Sequence, residues 1–87
     1  MSIVTDRKEI EKLVRTELSR LTKKDGEGVD GDSNLVEALG MDSLYMLEMY
    51  AMIESAFGVM IPTDRLQGMG TVNKIVDTIV EFQQEQL

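Results

Sequence analysis

The 87-residue sequence predicts an all-α fold, a small bundle of three main helices and one short one with a long loop between the first and second helices. Three observations lead there. Apolar residues recur at three- and four-residue spacing over long segments, the period that lines up one face of an α-helix. No segment alternates apolar and polar residues over the length of a strand. Glycines and the single proline cluster between the periodic segments, where they interrupt structure.

The first helix is expected at about 6–23, with Ile10, Leu13, Val14, Leu18 and Leu21 as its apolar stripe. Thr5 followed by Asp6 suits its start, because a hydroxyl can cap free N–H groups and an acid suits the positive helix end. Lys23 and Lys24 suit the other end. From Asp25 to Asp42 runs a long connection holding Gly26, Gly28, Gly31 and Gly40. A structureless loop of that length is uncommon in a small domain. It is therefore expected to be anchored by its own Leu35, Val36 and Leu39, with a helical turn at about 35–39.

The second main helix is expected at 43–57. "GVMIPTD" ends it, since Pro62 cannot continue a helix. "TDRLQ" reads as a short helix at about 64–67, capped by Thr63. Gly68 and Gly70 break the chain again. Thr71 then caps a last helix at about 72–85, whose stripe is Val72, Ile75, Val76, Ile79 and Phe82.

A chain of this length is read as one domain, 1–87. The absence of cysteine rules out disulfides and fits a reducing compartment, so a cytoplasmic protein is expected. There is no run of eighteen apolar residues, and "MSIVTDRKEI" lacks an apolar signal core; neither a membrane span nor export is expected. Charge is lopsided. Residues 1–24 hold seven basic and four acidic residues, a net of +3, whereas residues 25–87 hold two basic and twelve acidic, a net of −10. The acidic part repels nucleic acid and anionic membrane, and steers basic partners in. It also suits ordinary solubility.

Several chemistries fall away. Asp30, Asp32 and Asn34 mimic the start of a calcium loop, but Leu35 stands where glycine is needed and Met41 where glutamate is needed, so no metal site is expected. A serine hydrolase needs a base, and the chain has no histidine; "GMDSLYM" is also not the G-x-S-x-G elbow. There is no phosphate-binding glycine loop and no zinc ligand set. The chain is not expected to be an enzyme.

The second helix carries the most information. Met46, Met49, Tyr50, Ile53 and Phe57 make one apolar face, while Leu44, Leu47 and Ala51 make another beside Glu48. So short a chain can hardly surround one of its own helices. The second stripe either packs on the long loop or waits for a partner, and residue spacing leaves both open. Ser43 opens this helix. It reads either as an N-cap or as a residue to be modified, since a phosphate esterified there would lie against free N–H groups and the positive helix end.

The segment "LGMDSLYMLEMYAMIESAFGVMIP" resembles the acyl carrier proteins. Leu39 and Gly40 match that family's Leu-Gly, and Asp42, Ser43 and Leu44 its Asp-Ser-Leu. Phe57, Gly58, Ile61 and Pro62 match Phe-Gly…Ile-Pro, and Thr71 and Val72 the Thr-Val that opens the last helix. The resemblance covers about residues 32–82. It implies that Ser43, flanked by Asp42 and Leu44, carries covalent 4'-phosphopantetheine whose thiol holds acyl groups as thioesters. It implies a phosphopantetheinyl transferase, using coenzyme A and magnesium, as one partner, and acyl-loading and acyl-processing enzymes as others. Leu44, Leu47, Glu48, Ala51, Glu54 and Met60 fall on the partner-facing surface, and the carrier is expected to be a free-standing monomer.

Some positions depart from the family pattern. Tyr45 replaces a residue usually polar or acidic, Ser55 and Ala56 follow Glu54 where acids are common, and Met60 stands where an acid is common. The first helix is also unusually basic. These departures point to a carrier for one dedicated fatty-acid, polyketide or lipopeptide pathway. The alternatives are a peptidyl or aminoacyl carrier, against which Met41 before Asp42 argues, and a helical interaction module that is never modified.

Overall fold

The computed structural model describes residues 6–85. Its elements are α1 (Arg7–Thr22), α2 (Leu35–Leu39), α3 (Ser43–Phe57), a 3-10 helix (Thr63–Gly68) and α4 (Val72–Glu85). No strand occurs among the described residues. The three long helices are the expected ones, and the turn at 35–39 is a capped one-turn helix.

Each start has a chemical cause. The Asp6 carboxylate caps α1 by accepting from the Lys8 N–H; Thr5, the other capping candidate, lies outside the described residues. The Asn34 side chain caps α2 by accepting from the Val36 and Glu37 N–H groups. Thr71 caps α4 as expected, its hydroxyl oxygen accepting from the Lys74 N–H at 3.1 Å. Thr63 does not cap the 3-10 helix. Pro62 occupies that position and no side chain caps it, so the helix begins on the fixed φ of proline instead. At the end of α3, Gly58 takes the left-handed conformation (φ 67°) that turns the chain out of the helix at no steric cost.

The core joins three helix faces. Ile10, Val14 and Leu18 come from α1, Met49, Ile53 and Phe57 from α3, and Val72, Ile75, Val76 and Ile79 from α4. α1 packs chiefly against α4 and then against α3. Connecting segments fill the ends: Leu35, Leu39, Met41, Val59, Ile61 and Met69 are all buried. Two positions expected inside lie outward. Leu13 and Val36 are exposed, each being turned beyond the arc that faces the core. Phe82 is half-buried at the edge of α4, where the Arg65 guanidinium covers its ring at 5.2 Å and pairs with Glu81.

The long connection is held by its main chain. The Leu35 N–H donates to the Gly70 carbonyl and the Asn73 N–H to the Gly31 carbonyl, both at 2.9 Å, which joins α2 to the start of α4. Arg15 of α1 places its Nη1 group 3.1 Å from the Gly26 carbonyl, 3.2 Å from that of Glu27 and 2.6 Å from that of Val29. Gly26 lies so close to α1 that a Cβ there would meet the Arg15 carbonyl oxygen at 2.8 Å. Together these contacts fix where the chain enters α3.

Candidate functional site

Ser43 is the first residue of α3, and it is not the cap. That role belongs to Asp42, whose carboxylate accepts from the Tyr45 N–H at 3.0 Å. The difference matters chemically. A capping serine spends its oxygen on a backbone N–H. With Asp42 in that role, Ser43 is exposed and its hydroxyl makes no hydrogen bond among the described residues. The Ser43 and Leu44 N–H groups have no partner there either. A phosphate ester on Ser43 therefore fits: the oxygen is accessible, and two N–H groups and the positive end of a 15-residue helix lie beside it.

The two stripes of α3 divide as their spacing suggested. Met49, Ile53 and Phe57 are buried, and Met46 and Tyr50 are half-buried at the flank. Leu44 and Leu47 are 65% and 58% exposed, and Ala51, Glu48 and Glu54 are exposed on the same side. Met60, in the segment after α3, is 80% exposed. Tyr45 packs partly against the core, which accounts for an aromatic residue at that position.

Two acids on this surface have neighbours within the chain. Glu54 accepts from the Ile61 N–H at 3.1 Å. Arg20 of α1 has its pKa raised by a hydrogen bond to Glu17, by that carboxylate's charge and, more weakly, by Glu48 across on α3. The acidic face is thus bordered by a cation from α1.

Beside Ser43 opens a cleft of about 510 Å³, walled by Val36, Met46, Leu47, Tyr50 and Leu66. Tyr50 closes its far side by donating its hydroxyl to the Leu66 carbonyl at 3.0 Å, tying the 3-10 helix to α3. Burial pushes the Tyr50 hydroxyl above its ordinary pKa of 10.0. Sequence reasoning missed Val36, Tyr50 and Leu66 as cleft residues. The available signal was Tyr50 itself, since a tyrosine on a core stripe needs a partner for its hydroxyl.

The calcium-like residues are otherwise engaged. Asp30 accepts from the Asp32 N–H, Asp32 accepts from the Asn73 amide, and Asn34 caps α2. Among the described residues no cluster of acidic side chains is placed to hold a metal ion, and no helix is long and apolar enough to cross a membrane.

Comparison with known proteins places the chain in a family. The family described as the phosphopantetheine attachment site matches residues 12–79. An acyl carrier protein of Rubrobacter xylanophilus is 35% identical over 79 residues, covering 90% of this chain and 96% of that protein. One of Saccharopolyspora erythraea is 29% identical over 77 residues, covering 88% and 81%. Among solved structures, acyl carrier protein from Enterococcus faecalis superposes with a TM-score of 0.76 at 26% identity, covering 87% of this chain and 96% of that one. The hexanoyl carrier protein of the actinorhodin polyketide synthase from Streptomyces coelicolor superposes with a TM-score of 0.74 at 25% identity, covering both chains completely. The chain therefore belongs to the acyl carrier proteins, a carrier of covalently attached 4'-phosphopantetheine and not a catalyst.

Proposed function

We propose that Ser43 is the attachment residue and that the chain serves one dedicated acyl pathway, of fatty-acid, polyketide or lipopeptide type, as a cytoplasmic monomer. The observation that carries the attachment is the division of labour at the start of α3. Asp42 caps the helix, and the Ser43 hydroxyl is left exposed and unengaged. When bound, phosphopantetheine supplies a thiol that holds an acyl group as a thioester. The chain's own residues present that arm. Leu44, Leu47 and Ala51 offer apolar contact beside it, with Glu48, Glu54 and Met60 on or next to the same surface, to a transferase and to acyl-loading and acyl-processing enzymes. The apolar cleft beside Ser43 is a place for the acyl chain to shelter from water.

A dedicated pathway is supported by how this surface departs from a uniformly acidic one. Glu54 is engaged by the Ile61 N–H, and exposed Met60 offers a soft apolar contact instead of a charge. Incubation with coenzyme A and a promiscuous transferase should add one phosphopantetheine by mass. Ser43→Ala should abolish the addition while keeping the helical signal. Modification that persists in this variant would overturn the assignment of Ser43. No addition to the wild-type chain would leave the unmodified interaction module as the reading.

A further inference from the structure

We propose that Lys24, just beyond α1, is a positioning residue that holds the phosphate of the prosthetic group; this rests on the assignment of Ser43 above. Three observations meet at this point. The first is which cations are available. Among the described residues all four arginines are committed to carboxylates: Arg7 to Asp77 at 2.6 Å, Arg15 to Glu11 at 2.9 Å, Arg20 to Glu17 and Arg65 to Glu81. None of the lysines has an ion pair among those residues.

The second is place. The Lys24 ammonium lies against the segment that leads into Ser43, 3.1 Å from where a Cβ on Gly40 would stand. Gly40 is followed by Met41, Asp42 and Ser43, and three residues span at most about 11 Å of chain. A lysine head on its flexible four-carbon stem can cover much of that interval. The loop that carries Lys24 is itself fixed, because the Lys24 N–H donates to the Thr22 hydroxyl and the Gly26 N–H to the Lys24 carbonyl.

The third is electrostatic need. A phosphodiester on Ser43 sets a negative charge next to the exposed Asp42 carboxylate, which is held in place by the Tyr45 N–H. Two adjacent anions repel. The Ser43 and Leu44 N–H groups relieve part of this, and a neighbouring cation relieves more. Lysine suits the task better than arginine. A compact point charge can follow a phosphate whose arm must swing between enzymes, whereas a guanidinium fork holds it in one geometry.

The test compares the apo and phosphopantetheinylated protein by NMR, with mass spectrometry confirming the modification. The Lys24 side-chain nitrogen resonance should move on modification, as expected for a cation that gains an anionic neighbour. Lys12, about 15 Å back along α1, should not respond. In the modified protein, Lys24→Met should shift the phosphorus resonance and Lys24→Arg should restore it. Both variants should keep the wild-type melting temperature, since Lys24 is exposed. A modified protein whose Lys24 nitrogen and phosphorus resonances ignore each other overturns this role and leaves Ser43 standing. A protein that mass spectrometry shows to be unmodified overturns the reading of Ser43 instead.

Discussion

The Glu54 carboxylate accepts a hydrogen bond from the Ile61 N–H at 3.1 Å, tying the last turn of α3 to the segment that leaves it. An acid assigned to partners from the sequence therefore also braces the fold. Removing it leaves a half-buried N–H without its acceptor. Glu54→Ala should destabilise by about 1 kcal/mol, and Glu54→Gln by less, because the amide oxygen still accepts. Amide exchange at Ile61 checks this directly. It should speed up in the alanine variant, and unchanged exchange would show that the bond does not form in solution. Any binding defect of a Glu54 variant has to be read against its melting temperature.

The two faces of α3 make opposite predictions. Phe57 is fully buried, so Phe57→Ala should cost about 3–5 kcal/mol and melt far lower or fail to fold. Leu47 is mostly exposed, and Leu47→Asp should move stability by no more than about 0.5 kcal/mol. The same change should slow phosphopantetheine transfer, since it puts a charge where the partner needs an apolar contact. Thermal melts and transfer rates for the two variants are the measurements; unfolding by Leu47→Asp alongside tolerance of Phe57→Ala would mean the helix faces the other way.

Tyr50 makes a prediction in pH. Burial raises its pKa in the folded state above the unfolded 10.0, so the folded form holds the proton more tightly. The contribution to stability is therefore fully present below about pH 10 and is lost as pH rises through the folded value. Tyr50→Phe should remove this alkaline loss. It should also free the Leu66 carbonyl and loosen the 3-10 helix at neutral pH. Denaturant midpoints of both proteins from pH 8 upward are the check; parallel curves would show that Tyr50 titrates as an ordinary exposed tyrosine.

Lys23 ends α1 in the left-handed conformation (φ 61°), with its N–H donating to the Ser19 carbonyl at 3.0 Å. This backbone costs a residue with a Cβ about 1 kcal/mol relative to glycine. Lys23→Gly should therefore stabilise by up to about 1 kcal/mol, whereas Lys23→Val should destabilise. Loss of stability in the glycine variant would place the worth of Lys23 in its charge at the helix end.

Much of this was legible in the sequence, for reasons that differ by element. The long helices carry their periodicity openly, so the buried triad of Met49, Ile53 and Phe57 could be read from spacing. The stripe of Leu44 and Leu47 was legible as a second apolar face, but residue spacing left open whether the long loop would cover it, and the structure leaves it exposed. What stayed hidden depends on contacts between segments far apart in sequence. Met41 stands between a glycine and an acid, with no period to mark it as core, and Val36 shares a one-turn helix with two buried leucines yet points away from them. Which residue caps α3 stayed open in the sequence, where Ser43 reads either as the cap or as a residue to be modified. Asp42 and Ser43 are both good caps, and only the local backbone decides between them.

The grip of Arg15 on the 26–29 segment is made to carbonyl oxygens. Every amino acid has one, so this part of the loop's anchorage does not depend on the side chain at each of those positions. Glu27 is the natural place for an engineer to attach a reporter dye or an affinity handle, since its side chain is exposed, gives up only a long 3.5 Å hydrogen bond from the Thr16 hydroxyl, and leaves the main-chain contact to Arg15 in place. Gly26 does not share that freedom, because α1 leaves no room for a Cβ.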